Sequence, residues 1–310
     1  MQTEPKRIPL ARLDTPLEIY PELLRGRKLL VKRDDLTGSS LSGNKIRKLE
    51  YLIADALERG YNRLVTCGGI QSNHCRATVL AAATVGLESR VYLRTDNPPQ
   101  HSSKMTGNLA LMKMAGADVR FVSSEWYADR SNQMSIDSRD GDYLIPEGGS
   151  NALGSWGYIR AAAELVRQWE APPTAIIAAT GSGGTVAGLT IGMHREGYAQ
   201  IPVYGVCACD DEAYFQAECA AISTEATERW PELPRLEGGQ FRFIEGYVGQ
   251  GYAISTPEEI ADLKMVMRET GLVLDPVYTN KAFQAILGEP ETFGVRPLFI
   301  HTGGIFGLLA

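Results

Sequence analysis

Ala175-Ile176-Ile177-Ala178-Ala179-Thr180-Gly181-Ser182-Gly183-Gly184-Thr185 is an apolar run that breaks into glycine, after which Val186, Ala187, Leu189, Ile191 and Met193 carry a helical pattern. Five apolar residues without alternation suit a strand covered on both faces. The glycines let the chain turn into a helix with no Cβ in the way of an incoming group. Strand, loop and helix N-terminus together present several free N–H groups to one anion. The spacing departs from a dinucleotide fingerprint, because Gly181 and Gly183 are followed by Val186 where a third glycine would stand. An anion seat and a purely structural turn both fit the segment.

Outward from it, short β-rich runs recur at 29–32, 63–66, 89–93, 118–122, 203–207 and 298–301. Helical patterns between them span 72–85, 104–114 and 157–169. The alternation predicts an α/β protein with parallel sheets, whose ligands sit at the carboxyl ends of strands. The Asp96-Asn97-Pro98-Pro99 and Pro172-Pro173 turns are the sharpest breaks. The chain reads as a larger domain, 1–49 with 152–310, into which a smaller one, 50–151, is inserted. At 310 residues, 44% hydrophobic and 22% charged, it is long enough for two cores. A net charge of −6 without a Lys/Arg block argues against nucleic acid or an anionic membrane as partner. No run reaches the roughly 20 apolar residues of a membrane span, and the first 25 residues do not read as a signal peptide, so a cytoplasmic address is expected. Five cysteines suggest reduced thiols. Alternation puts Cys207 and Cys209 on one face of a strand, but two further ligands at metal-site spacing are lacking, and no metal is expected.

Leu41-Ser42-Gly43-Asn44-Lys45-Ile46-Arg47-Lys48-Leu49-Glu50 places a lysine after turn-forming Gly and Asn and before the apolar spacing Ile46, Leu49, Leu52, Ile53, Ala56, Leu57. Lys45 therefore falls in the first turn of an amphipathic helix. One lysine able to bond covalently and one anion cradle are what pyridoxal phosphate requires of a protein. Cys67-Gly68-Gly69-Ile70-Gln71-Ser72-Asn73-His74 has the same strand-to-helix form with hydroxyl and amide side chains. It suits a carboxylate, or simply a serine-capped helix.

Six blocks in order, 42–50, 68–74, 146–154, 180–185, 274–279 and 301–304, resemble the D-cysteine desulfhydrase and 1-aminocyclopropane-1-carboxylate (ACC) deaminase family from about Leu10 to the last residues. The resemblance implies a two-lobed fold-type II pyridoxal phosphate enzyme, tryptophan synthase β-like, with a parallel-sheet core in each lobe, acting on a small amino acid as a homodimer. It implies that Lys45 bonds the cofactor and that Lys48, one helical turn on, reaches the phosphate. Thr180, Gly181, Ser182, Gly183, Gly184 and Thr185 would hold the phosphate, Asn73 would meet the ring hydroxyl, and Thr279 and Thr302 would contact the ring. Gln71, Ser72, Asn73 and His74 would bind substrate, with Ser72 sharing in proton transfer, and Tyr278 and Tyr252 would be the two active-site tyrosines. It also leads one to expect a few residues beyond Ala310.

Thr279 stands where the ACC deaminases carry a glutamate facing the pyridine nitrogen. A hydroxyl there makes a weaker electron sink, which suits β-elimination. His74 and the Ser150-Asn151-Ala152-Leu153-Gly154 run also fit the desulfhydrase branch. The expected reaction is α,β-elimination from D-cysteine to pyruvate, ammonia and sulfide, with Lys45 as base at Cα, its pKa lowered by burial and nearby cations. L-cysteate sulfo-lyase and ACC deaminase are the alternatives.

Overall fold

The computed structural model describes residues 4–24, 27–97, 106–251 and 253–310. In chain order these form β1 (Leu17–Leu24), β2 (Arg27–Lys32), α1 (Lys45–Glu58), β3 (Arg63–Gly69), α2 (Asn73–Thr84), β4 (Glu88–Arg94), α3 (Gly107–Met114), β5 (Asp118–Val122), α4 (Ser124–Ala128), α5 (Arg130–Ile136), β6 (Asp142–Leu144), α6 (Ala152–Gln168), β7 (Ala175–Thr180), α7 (Gly184–Arg195), β8 (Val203–Cys207), α8 (Glu212–Arg229), β9 (Arg242–Ile244), α9 (Pro257–Thr270), α10 (Thr279–Gly288), α11 (Pro290–Phe293), β10 (Pro297–Ile300) and α12 (Ile305–Leu308). One sheet has the order β1-β2-β10-β7-β8-β9 and the other β5-β4-β3-β6. Every pairing is parallel except β1 with β2.

The apolar run that opens the sequence reading is β7, buried at every position, with α6 and α7 on one face and α9 and α10 on the other. The antiparallel β1 was not expected. Its sequence contains Pro21, which an edge strand tolerates because one side of its backbone lies outside the ladder, and its register shifts between Tyr20 and Leu24. β6 and β9 span three residues each, too short to show a period. α6 begins at Ala152, earlier than its apolar pattern suggests, because the Asn151 side chain accepts from Gly154 N at 2.8 Å and caps it. β8 ends at Cys207, so Cys209 lies past the strand rather than on a shared face with it. The five cysteines are free thiols. Among the described residues no helix is long and apolar enough to cross a membrane, and no His/Cys/Asp/Glu group is placed to hold a metal.

α1, which carries both lysines of interest, is fixed from below by charge. Arg47 reaches Asp34 at 2.7 Å and Glu164 at 2.9 Å, Lys32 also pairs with Glu164, and Tyr158 donates to Asp34 at 2.5 Å. Each side chain of these ion pairs is at most 1% exposed. Burial alone would push the Asp34 and Glu164 carboxyls up, and Arg47, with Lys32 after it, more than reverses this, holding both below their ordinary values. α6 lies close against α1 because position 157 is glycine; a Cβ there would stand 2.6 Å from the Arg47 backbone.

Candidate active site

The glycine loop leaves β7 at Thr180 and enters α7 at Gly184. A Cβ on Gly184 would stand 2.6 Å from Ser150 Oγ and 2.9 Å from Lys48 Nζ, so only glycine lets the loop lie this close to the amine. Ser150 Oγ accepts from Lys48 Nζ and from Gly184 N, each at 3.2 Å, which leaves its proton for Ser182 Oγ at 2.9 Å. Lys48 also donates to Gly148 O at 3.1 Å. Burial, then the charge of Lys45, pushes the Lys48 amine well below the ordinary lysine value. The first-turn amides of α7, which no intrahelical carbonyl can satisfy, begin at this loop.

Lys45 is the first residue of α1. Asn44 before it is held by its backbone N–H to Thr302 O at 3.1 Å and by its side chain to Thr185 Oγ1 at 3.1 Å, which aims Lys45 between β10 and the glycine loop. Burial brings the Lys45 amine down to about 8, and the charge of Glu147 opposes that fall. The lowering therefore comes from burial; cationic proximity acts on Lys48 rather than on Lys45.

The turn after β3 supplies the facing wall. Ser72 caps α2, accepting from Cys75 N at 3.2 Å, and also lines the cavity. His74 is 3% exposed, and its Nε2 lies 2.8 Å from Thr66 Oγ1. The Thr66 hydroxyl gives its only proton to Ile145 O at 2.8 Å, so Nε2 carries the histidine proton and Nδ1 is a bare acceptor. Nδ1 has no hydrogen-bond partner among the described residues. Burial and the two lysines keep this ring neutral, well below the ordinary histidine value. Gln71 does not line the cavity: its amide is bonded to Asn108 N at 2.8 Å and Thr106 O at 3.3 Å.

The third wall comes from Asp275, Tyr278, Thr302 and Gly303. Tyr278 lines it, and a Cβ on Gly181 would stand 2.8 Å from the tyrosine ring. Thr279 does not. Its hydroxyl donates to Asp275 Oδ1 at 2.7 Å and accepts from Asp275 N at 2.6 Å, with the side chain fully buried behind the wall. Of the two threonines expected at the cofactor, Thr279 and Thr302, Thr302 lines the cavity. Tyr252 lies outside the described residues. Two carboxylates that sequence reasoning did not assign, Glu147 and Asp275, also line the cavity; both sit inside the quoted blocks, beside the glycines and Tyr278.

The cavity so formed encloses about 690 Å³ of atom-free space, the open solvent at its mouth included. It has one lysine amine near neutrality, a glycine seat with helix amides for an anion, and an orphaned buried nitrogen on His74. Those are the groups a pyridine aldehyde phosphate needs, and the residues fit it. The chain belongs to the pyridoxal-phosphate dependent enzymes, whose family profile matches residues 8–303. Within that class it is a lyase of the D-cysteine desulfhydrase and ACC deaminase family. It is 38% identical over 96% of its length to a bifunctional D-cysteine desulfhydrase/ACC deaminase of Arabidopsis thaliana, covering 78% of that protein. It is 40% identical to a putative ACC deaminase of Thermotoga maritima, with 98% of each chain covered. A crystal structure of an ACC deaminase homologue superposes with a TM-score of 0.87 at 33% identity, covering 99% of this chain and 94% of that one.

Proposed function

We propose that this enzyme catalyses α,β-elimination from D-cysteine, which with water gives pyruvate, ammonium and hydrogen sulfide. Bound pyridoxal phosphate supplies an electron sink, stronger when a carboxylate keeps its ring nitrogen protonated, and with a weak sink the electrons freed at Cα leave through a substituent on Cβ. The observation that carries the choice of reaction is that both carboxylates of the cavity are already engaged. Asp275 accepts from the backbone N–H groups of Val277, Tyr278 and Thr279 and from the Thr279 hydroxyl, at 2.7–3.0 Å. Glu147 accepts from Tyr127 OH at 2.5 Å and Arg130 at 2.9 Å. Neither is left to protonate a heteroaromatic nitrogen, and the Thr302 hydroxyl is a neutral group.

The chain's own residues divide the remaining work. The glycine loop, the first turn of α7 and Lys48 bind the phosphate. The Lys45 amine, brought down to about 8 by burial, is the base that takes the Cα proton. Ser72 and the first amides of α2 hold the substrate carboxylate. Tyr278, against Gly181, steers the Cβ substituent, with Tyr252 as the second tyrosine. The family resemblance supports a homodimer, which sedimentation of the purified protein tests.

Incubation with D-cysteine, L-cysteine, L-cysteate and ACC, with assays for keto acids, sulfide and sulfite, tests the substrate. Pyruvate and sulfide in equal amounts from D-cysteine are expected. Sulfite from L-cysteate, or 2-oxobutyrate from ACC, as the fastest product overturns the assignment.

A further inference from the structure

Asn108, at the start of α3, is fully buried and is not part of the cavity wall. Its amide has one permitted orientation. Arg76 Nε, which can only donate, lies 3.1 Å from Asn108 Oδ1, so the other amide atom is the nitrogen. That nitrogen donates to Gln71 O at 2.8 Å and to Asn73 Oδ1 at 3.0 Å, while Asn108 N donates to Gln71 Oε1 at 2.8 Å. Asn73 lines the cavity, and with its oxygen committed to Asn108 its Nδ2 is the atom left to face a ligand. Arg76 is itself fixed from three sides: it donates to Ser40 O at 2.6 Å and Ser42 O at 3.0 Å, and its guanidinium lies 4.9 Å from the centre of the Phe306 ring. It makes no ion pair with a carboxylate among the described residues.

We propose that Asn108, oriented by Arg76, is a positioning residue that makes Asn73 a hydrogen-bond donor to an oxygen of the bound cofactor. The arrangement is directional. Asn73 alone could present either end of its amide, and the neighbouring amide, whose own direction the arginine dictates, selects the nitrogen. Because Arg76 also grips the carbonyls of the segment leading to Lys45, the donor on one wall and the approach to the lysine on the other are set by the same guanidinium.

The inference rests on the cavity being the pyridoxal phosphate site, and the test separates the two. Asn108→Asp keeps an acceptor for Arg76 but cannot donate to Asn73, so the Asn73 amide turns over and offers oxygen to the cavity. Full-length protein stripped of cofactor is titrated with pyridoxal phosphate, and the pH at which the visible cofactor band changes is recorded. Affinity should fall about tenfold to a hundredfold, the worth of one hydrogen bond to a charged group, and the band's pH midpoint should shift. Asn73→Ala should lose a similar factor, and the double variant no more than Asn73→Ala alone, because Asn108 acts only through Asn73. Should Asn108→Asp not fold, Asn73→Asp carries the same question, since it still accepts from Asn108 but has no donor. Unchanged affinity and band in Asn108→Asp or Asn73→Asp, or additive losses in the double variant, overturn the proposal while the wild type still binds cofactor. A wild type that does not bind would instead overturn the site.

Discussion

Replacing Arg47 with methionine should destabilise the protein more than any other single charge removal under α1. The guanidinium makes hydrogen bonds to Asp34 Oδ1 and Oδ2, to both oxygens of Glu164 and to Thr15 Oγ1, at 2.7–3.1 Å, in a site closed to water. Methionine fills much of the volume but leaves two buried carboxylates with Lys32 as their only nearby cation among the described residues. Removing one partner of a buried ion pair costs about 3–5 kcal/mol, a large part of a typical stability of about 5–15 kcal/mol. The pH dependence should also change sign. In the wild type both carboxyls are held below their unfolded values, so their contribution is fully present above about pH 4 and is lost as pH falls through the folded values. Without Arg47, which opposes burial more than Lys32 and Tyr158 do, burial is expected to push Asp34 above its unfolded value, so that its contribution is greatest below that value and is lost as pH rises through the new one. Urea unfolding of wild type and Arg47→Met at pH 5, 6, 7 and 8 measures both effects. A loss under about 1 kcal/mol at pH 7, or a variant no more stable at pH 5 than at pH 8, would refute the account of α1 as anchored by this cluster.

Lys45→Ala should abolish turnover and the covalent cofactor adduct that borohydride traps; mass spectrometry finding that adduct on another lysine refutes the assignment. Because Lys48 is held toward its neutral form and a phosphate favours its charged form, cofactor binding near pH 7 should take up protons; calorimetry in buffers of different ionisation enthalpy would show no buffer dependence if it does not. Turnover should fall as pH drops through the Lys45 value near 8, and Glu147→Gln, which removes the charge that raises this value, should move that limb to lower pH; a shift upward contradicts the electrostatics. Ser72→Ala should lower kcat/KM by about tenfold to a hundredfold and cost about 1 kcal/mol of stability through the lost cap of α2, with wild-type kinetics removing Ser72 from the site.

The parts of the site legible in the sequence are those made by backbone chemistry. A strand ending in Gly181 and Gly183, and a lysine following Gly43 and Asn44, announce themselves because few residues can occupy such positions. Side-chain direction is where adjacency misleads. Thr279 follows Tyr278 in the chain, but as the first residue of α10 its hydroxyl closes back on Asp275, and the threonine that reaches the cavity comes from the far end of β10. Gln71 likewise sits next to Ser72 yet spends its amide on α3. Asn108 and Arg76 had no motif at all, since their meaning lies in contacts about 30 residues apart in the chain. β1 was hidden by its proline and β6 by its length.

The cavity walls hang from the carboxyl ends of strands in two separate sheets, Ser72 to His74 after β3, Glu147 after β6, the glycine loop after β7 and Thr302 after β10. Each wall is thus a short tether on a core that does not depend on it, and drift in one tether leaves the others and both cores undisturbed. A lineage built this way can exchange one amino-acid substrate for another through a few loop substitutions, with the lysine and phosphate seat unchanged. Relatives of this chain at 33–40% identity, whose names divide between a desulfhydrase and a deaminase, have the divergence such a construction permits.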